Sequence, residues 1–165
     1  MAILDIIHYP DPLLKQQSAE IISYPPDQKL FIDNMIETMY AAEGIGLAAP
    51  QVGVLKRIAV IDVSREQDTP LVFVNPTIVS QHGSIKSEEG CLSIPGYRDT
   101  VPRSTNLIVR AQDSDGKEFS VEADGLLAIC LQHEIDHLDG ILFIDRMSRI
   151  KRELFKRWFK KQLES

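Results

Sequence analysis

The chain has 165 residues, 44% apolar and 25% charged, with a formal net charge of −6, which fits one globular domain large enough to bury a substantial core. No apolar run approaches a membrane span, and Met1-Ala2-Ile3-Leu4-Asp5 has neither the basic region nor the long apolar core of a signal peptide, which argues against membrane insertion and export and makes the cytoplasm the expected compartment. The charge is uneven: residues 1–145 carry 10 Lys/Arg against 22 Asp/Glu and residues 146–165 carry 8 against 2, so the tail is a separate electrostatic object.

Residues 3–7 are apolar around Asp5, Tyr9-Pro10-Asp11-Pro12 reads as a turn, and Leu13-Leu14-Lys15 as a short helical piece. His8 has no neighbour at ligand spacing and reads as a surface or packing residue. Pro25-Pro26-Asp27 starts a helix whose apolar stripe is Ile32, Met35, Ile36, Met39 and Tyr40, and Gly44 would stop it. The stretch from Gly44 to Gly53 follows. Its small residues allow close backbone approach, but it lacks the third glycine and Lys-Ser/Thr of a phosphate loop. A structural turn and a substrate-binding loop both stay open, with Gln51 as the side chain to watch.

Residues 57–63 and 71–76 are β-rich, residues 77–80 continue as a third strand, and the spacing is too tight for helical crossovers, so an antiparallel meander is expected. Residues 88–98 break the pattern as a loop. There Cys91, flanked by glycine and prolines, reads either as a thiolate reaching inward or as a small buried hydrophobe. His82 reads as a solvated turn residue. Residues 106–111 and 119–123 form a hairpin around Asp113-Ser114-Asp115-Gly116-Lys117.

The second hairpin strand feeds a helix whose first residues, Gly125 to Leu131, are apolar on every side, as in a helix buried all round. Asp124 offers a capping oxygen and Gly140 a left-handed end. Into this helix fall His133, Glu134, Asp136 and His137, whose burial costs on the order of several kcal/mol unless a partner or a metal compensates. His133 and His137, four apart, project from one face and can hold one metal ion. Glu134 lies beside the first ligand, able to act on a metal-held water without being a ligand itself. A thiolate from Cys91 or from Cys130, three residues before His133, could complete the set; spacing leaves both open. Three such ligands would leave a position for water, and a thiolate among them suits late transition metals. The last segment sets Met147, Ile150, Leu154 and Trp158, with Phe155 and Phe159 less regularly, against eight basic residues. It reads as an amphipathic helix packing Ile150, Leu154 and Trp158 inward, its basic face suiting an anionic surface, nucleic acid first.

Gly44-Ile45-Gly46-Leu47-Ala48-Ala49-Pro50-Gln51, Glu89-Gly90-Cys91-Leu92-Ser93 and Gln132-His133-Glu134-Ile135-Asp136-His137 resemble, in order and approximate separation, the three signature motifs of the peptide deformylases. The likeness runs from His8-Tyr9-Pro10-Asp11-Pro12 to about Arg146. It implies an enzyme that removes the formyl group from the N-terminal formyl-methionine of new polypeptides. The expected fold is α+β: one catalytic domain over 1–165, small antiparallel or mixed sheets around the buried helix, an N-terminal amphipathic helix, and a basic helix over 146–165.

Carried onto this chain, the resemblance makes Cys91, His133 and His137 ligands of one divalent ion, iron(II) in the cell with zinc, nickel or cobalt as substitutes, and water the fourth ligand. Glu134 becomes general base and then acid, and Gln51 with the Leu92 N–H the oxyanion donors. Gly44, Gly46, Gly90 and Arg98 fall in the peptide-binding surface, although Arg98 reads equally well as a structural ion pair. Ile45, Glu89, Leu126, Ile129 and Cys130 wall the methionine pocket, with Ser87 giving it a more polar edge, and Asp136 reads as a supporting acid. The expected partners are formyl-methionyl nascent peptides and, through the basic helix, the ribosome, with no membrane contact and a monomeric enzyme. Two rivals remain open. A metallopeptidase would need a longer cleft and usually a His or Glu as third ligand, and a ribosome- or RNA-binding protein with a structural zinc would need Cys130 as fourth.

Overall fold

In the computed structural model, which describes residues 2–165, helix α1 (Pro26–Ala41) opens on a proline in its first turn, where the missing N–H costs nothing. It buries Ile32, Met35 and Met39 from the expected stripe. Gly44 does not end it. Glu43 takes the left-handed turn at φ 58° and the Gly44 N–H returns to the Met39 carbonyl, because the helix has already closed its last turn at Ala41.

The seven strands among the described residues are β1 (Gly46–Ala48), β2 (Ile58–Ile61), β3 (Leu71–His82), β4 (Ile85–Cys91), β5 (Ile94–Arg103), β6 (Asn106–Gln112) and β7 (Glu118–Asp124). The expected antiparallel arrangement holds: a five-stranded sheet has the order β1-β2-β3-β6-β7, and β4 pairs with β5 alone. Two readings of the sequence are corrected. Residues 71–80 belong to one strand rather than two, bent where Asn75 sits at φ 51° and the register shifts between Val74 and Thr77. Residues 88–98 are a hairpin rather than a loop, with Cys91 opposite Ile94 across the Leu92-Ser93 turn. Pro95 and Pro102 are tolerated because each strand of a two-stranded sheet keeps one edge without ladder bonds.

The glycine-rich stretch is an edge strand, β1, followed by a 3-10 turn (Ala49–Val52) that ends on Gly53 at φ 85°. An N-terminal strap ties it to the hairpin: the Ile7 N–H donates to the Gln51 carbonyl and the Tyr9 N–H to the Ser93 carbonyl, both at 2.8 Å.

Helix α2 (Gly125–Leu138) packs against β1, β2, β6 and β7 over a core that includes Phe73, Val109, Leu131 and Ile135. It is buried continuously from Cys130 to Leu138. Its first turn departs from the expectation: Leu126 is 51% exposed and Asp124 makes no side-chain capping bond, because that turn faces a cleft rather than the core. Gly140 is left-handed at φ 75°, and a Cβ there would meet the Lys15 carbonyl oxygen at 2.5 Å.

Helix α3 (Arg149–Glu164) is capped by the Ser148 hydroxyl, which accepts from the Lys151 N–H. Its inward face is only partly the one expected: Trp158 turns inward, Ile150 and Leu154 do not. Ile150 and Leu154 are 75% and 53% exposed, while Phe155 is 2% exposed. Phe155 and Phe159 pack on Tyr9 at 5.3 and 4.8 Å, and Trp158 packs on Tyr97 at 4.9 Å. The aromatic row buries more apolar area than the aliphatic one and finds edge-on ring partners, so it takes the protein side. No helix among the described residues is long and apolar enough to cross a membrane.

Candidate active site

Helical spacing alone sets His133 and His137 side by side on α2, and the β4–β5 hairpin brings Cys91 to them. The three ligand atoms lie within 4.8 Å of one another, with Cys91 Sγ 3.2 Å from His137 Nε2. Cys130 is outside this group. Its thiol is pushed up to about 12 by burial first, then by Glu134 and Glu89, and it packs from α2 into the core. The thiolate reading therefore falls to Cys91, and the closed four-ligand site needed for a structural zinc is not formed.

The donor set fits a divalent late transition metal: one sulfur and two imidazole nitrogens on one side, with a cleft on the other. Burial, with His133 and Arg103 behind it, holds the His137 pKa well below the ordinary imidazole value, which keeps a nitrogen lone pair available. At His133 burial acts in the same direction, but Cys91, Glu134 and Glu89 outweigh it and raise the pKa. That cluster of a thiol and two carboxyl groups around one imidazole is a place for a cation.

Glu134, 4% exposed, has an Oε1 buried without a hydrogen-bond partner. Burial first, then Glu89 and Asp136, push its carboxyl up to about 7 against the pull of His133 and Arg103. It rests against β1: a Cβ on Gly46 would stand 3.0 Å from Glu134 Cδ. Gln51 is held by its Oε1, which accepts the Ala48 N–H at 2.9 Å, so that its Nε2 points to Ser93 Oγ at 3.2 Å and to Cys91 Sγ at 3.5 Å. The glycine-rich stretch is thus both a structural strand and one wall of the site.

These groups open on a cleft of about 610 Å³. Every residue expected from the sequence at the peptide-binding surface lines it: Gly44, Ile45, Gly46, Glu89, Gly90, Arg98, Leu126, Ile129 and Cys130, with Leu92 and the buried Ser87. Arg98 is exposed and reaches only the Glu88 carbonyl, at 3.4 Å, so its structural ion pair does not form. Glu89 lines the cleft, but its carboxylate is already engaged. Its oxygens receive Arg103 Nε and Nη2, both at 2.8 Å, and Oε1 also meets His133 Nδ1 at 3.0 Å.

Asp136 receives Arg103 Nη1 at 2.7 Å and Arg146 at 2.8 and 3.0 Å, behind the site rather than in the cleft. Arg103 and Arg146 carry no spacing signal, and Ser93, although it closes the second signature stretch, takes no role of its own from the sequence. The one hint was that a buried Glu89 demands a counter-charge from somewhere in the chain.

A family model for polypeptide deformylase matches residues 3–153. A peptide deformylase of Thermodesulfovibrio yellowstonii is 57% identical over 162 residues, 97% of this chain and 98% of the relative. Among solved structures, a peptide deformylase from Legionella pneumophila superposes with a TM-score of 0.91 at 44% identity over 98% of each chain. One from Ehrlichia chaffeensis in complex with actinonin superposes with a TM-score of 0.92 at 40% identity over the whole of both chains.

Proposed function

The chain belongs to the polypeptide deformylase family, and from that membership we propose how its residues divide the work of removing an N-formyl group. The enzyme acts on N-formylated peptides through a metal site built from Cys91, His133 and His137. The observation that carries this reading is the convergence of those three ligands beside Glu134, whose Oε1 is buried and unpartnered, at the head of a cleft. The ion, when bound, supplies Lewis-acid chemistry that brings the pKa of a water to about 7.

Glu134 takes the proton of the attacking water at its unpartnered oxygen and returns it to the leaving amine, roles suited to a carboxyl held at about 7. Gln51 Nε2 and the Leu92 N–H donate to the formyl oxygen as negative charge builds on it, an electrostatic contribution on the order of 3 kcal/mol per donor. Ile45, Leu126, Ile129 and Cys130 receive the apolar side chain of the first residue, with Ser87 as a polar edge. Gly44, Gly46 and Gly90 let the peptide backbone come close, and Arg98 stands exposed beside them.

The substrate class is the formyl-methionyl end of nascent chains in the cytoplasm, handled by a monomer. Iron(II) is the proposed resident ion, with zinc, nickel and cobalt able to replace it, in keeping with a thiolate and two imidazoles. Residues 1–165 act as one catalytic domain. Its tail, 146–165, carries exposed basic residues beside Ile150 and Leu154, a surface suited to ribosomal RNA.

Anaerobically purified, iron-loaded protein should release formate from formyl-Met-Ala-Ser; no formate would refute the reading. Ribosome co-sedimentation that is lost at high salt and on deletion of residues 148–165 supports docking, and co-sedimentation unchanged by the deletion refutes it.

A further inference from the structure

Behind the ligand His133 runs an unbroken chain of charged side chains that the reaction itself does not use. His133 Nδ1 meets Glu89 Oε1 at 3.0 Å, and Arg103 grips both Glu89 oxygens through Nε and Nη2 at 2.8 Å. Arg103 Nη1 reaches Asp136 Oδ2 at 2.7 Å, and Asp136 is held from outside by Arg146 at 2.8 and 3.0 Å. Burial falls off along it: Glu89 and Arg103 side chains are 5% and 3% exposed, Asp136 10%, Arg146 44%.

We propose that Arg103 is a positioning residue for the metal site, acting through Glu89 to hold His133 with its proton on Nδ1 and its Nε2 lone pair turned to the ion. Two features carry this. The planar guanidinium can span both Glu89 oxygens and Asp136 at once, a geometry that an ammonium cannot reproduce. The carboxylate it holds is also the one that meets His133, so the ring cannot rotate or change tautomer without losing its hydrogen bond to a buried carboxylate. Arg146, at the solvent end, offsets the Asp136 charge and contributes less, because exposed ion pairs are screened.

The proposal rests on Cys91, His133 and His137 being the metal ligands, and its test separates the two. Zinc affinity is measured by chelator competition on metal-free protein, with the melting temperature of the metal-free form recorded beside it. Wild type must bind one zinc, and Cys91→Ser must lose it; failure there refutes the ligand assignment, not the role of Arg103.

Given a binding wild type, Arg103→Met and Glu89→Gln should each weaken zinc affinity 10- to 100-fold. The double variant should be no weaker than the worse single one, since both act in one chain. Arg146→Met should weaken it less than fivefold, and less still at high salt. Arg103→Lys, a safeguard should the Met variant not fold, should weaken affinity at least threefold. Affinities of the Arg103 variants within twofold of wild type, whatever their melting temperatures, or losses that simply add in the double variant, would overturn the proposal.

Discussion

Gly46 and Glu134 are packed so closely that a Cβ on the glycine would stand 3.2 Å from Glu134 Cγ and 3.0 Å from Cδ, and would overlap Oε2. The edge strand β1 is thereby the template on which the proposed base is laid, and a glycine is required by space rather than by a positive φ.

Gly46→Ala should displace the Glu134 carboxylate while leaving the ligands in place. Formate release should fall on the order of a hundredfold or more, the range for losing a positioned acid–base group. Metal content, read by elemental analysis, should stay at one ion per chain; loss of the ion together with activity would mean that the strand supports the ligands instead.

The choice between the two cysteines gives a second prediction. Cys91→Ser should abolish metal retention and Cys130→Ser should keep it, because only Cys91 Sγ lies in the ligand group and the Cys130 thiol stays protonated with a pKa near 12. Cobalt(II) loading followed by absorption spectroscopy distinguishes them: the sulfur-to-metal band should vanish only in Cys91→Ser.

Burial gives Glu134 a pH signature in the metal-free protein. Its carboxyl is raised from 4.5 to about 7, so the folded state binds this proton more tightly than the unfolded chain does. Stability from that source is complete below pH 4.5 and is lost as pH rises through 7. At about 1.4 kcal/mol per tenfold change in proton affinity, the advantage of Glu134→Gln over wild type should grow by on the order of 3 kcal/mol between pH 4 and pH 8. Urea denaturation of both metal-free proteins at the two pH values measures it, and a constant difference would show that Glu134 is ordinary.

The orientation of α3 can be tested by stability alone. Phe155→Ala should cost about 3–5 kcal/mol, as for a buried aromatic. Ile150→Ala, at an exposed position, should change stability by less than about 0.5 kcal/mol. The reverse order in chemical denaturation would return the helix to the face that its aliphatic periodicity suggested.

Much of this enzyme was determined by local order in the sequence. Two histidines four apart on a helix must share a face, Glu134 must lie beside them, and apolar residues at helical or alternating spacing must turn inward. The helices α1 and α2, the hairpin of β6 and β7 and the basic tail were therefore legible, as was the three-part resemblance that brought Gln51 and Cys91 to the site. Tertiary structure decided what depends on pairing between distant segments. Cys130, three residues from His133, is turned to the core and cleft wall, while Cys91, more than forty residues away, is delivered by a hairpin whose prolines read as a loop. Likewise Phe155 rather than Ile150 faces inward because Tyr9 and Tyr97, far off in the chain, offer ring partners. The chain from His133 through Glu89, Arg103 and Asp136 to Arg146 joins four separate elements and has no period at all. A buried charge must find its counter-charge, but sheet register and helix packing, not sequence distance, choose which one it meets.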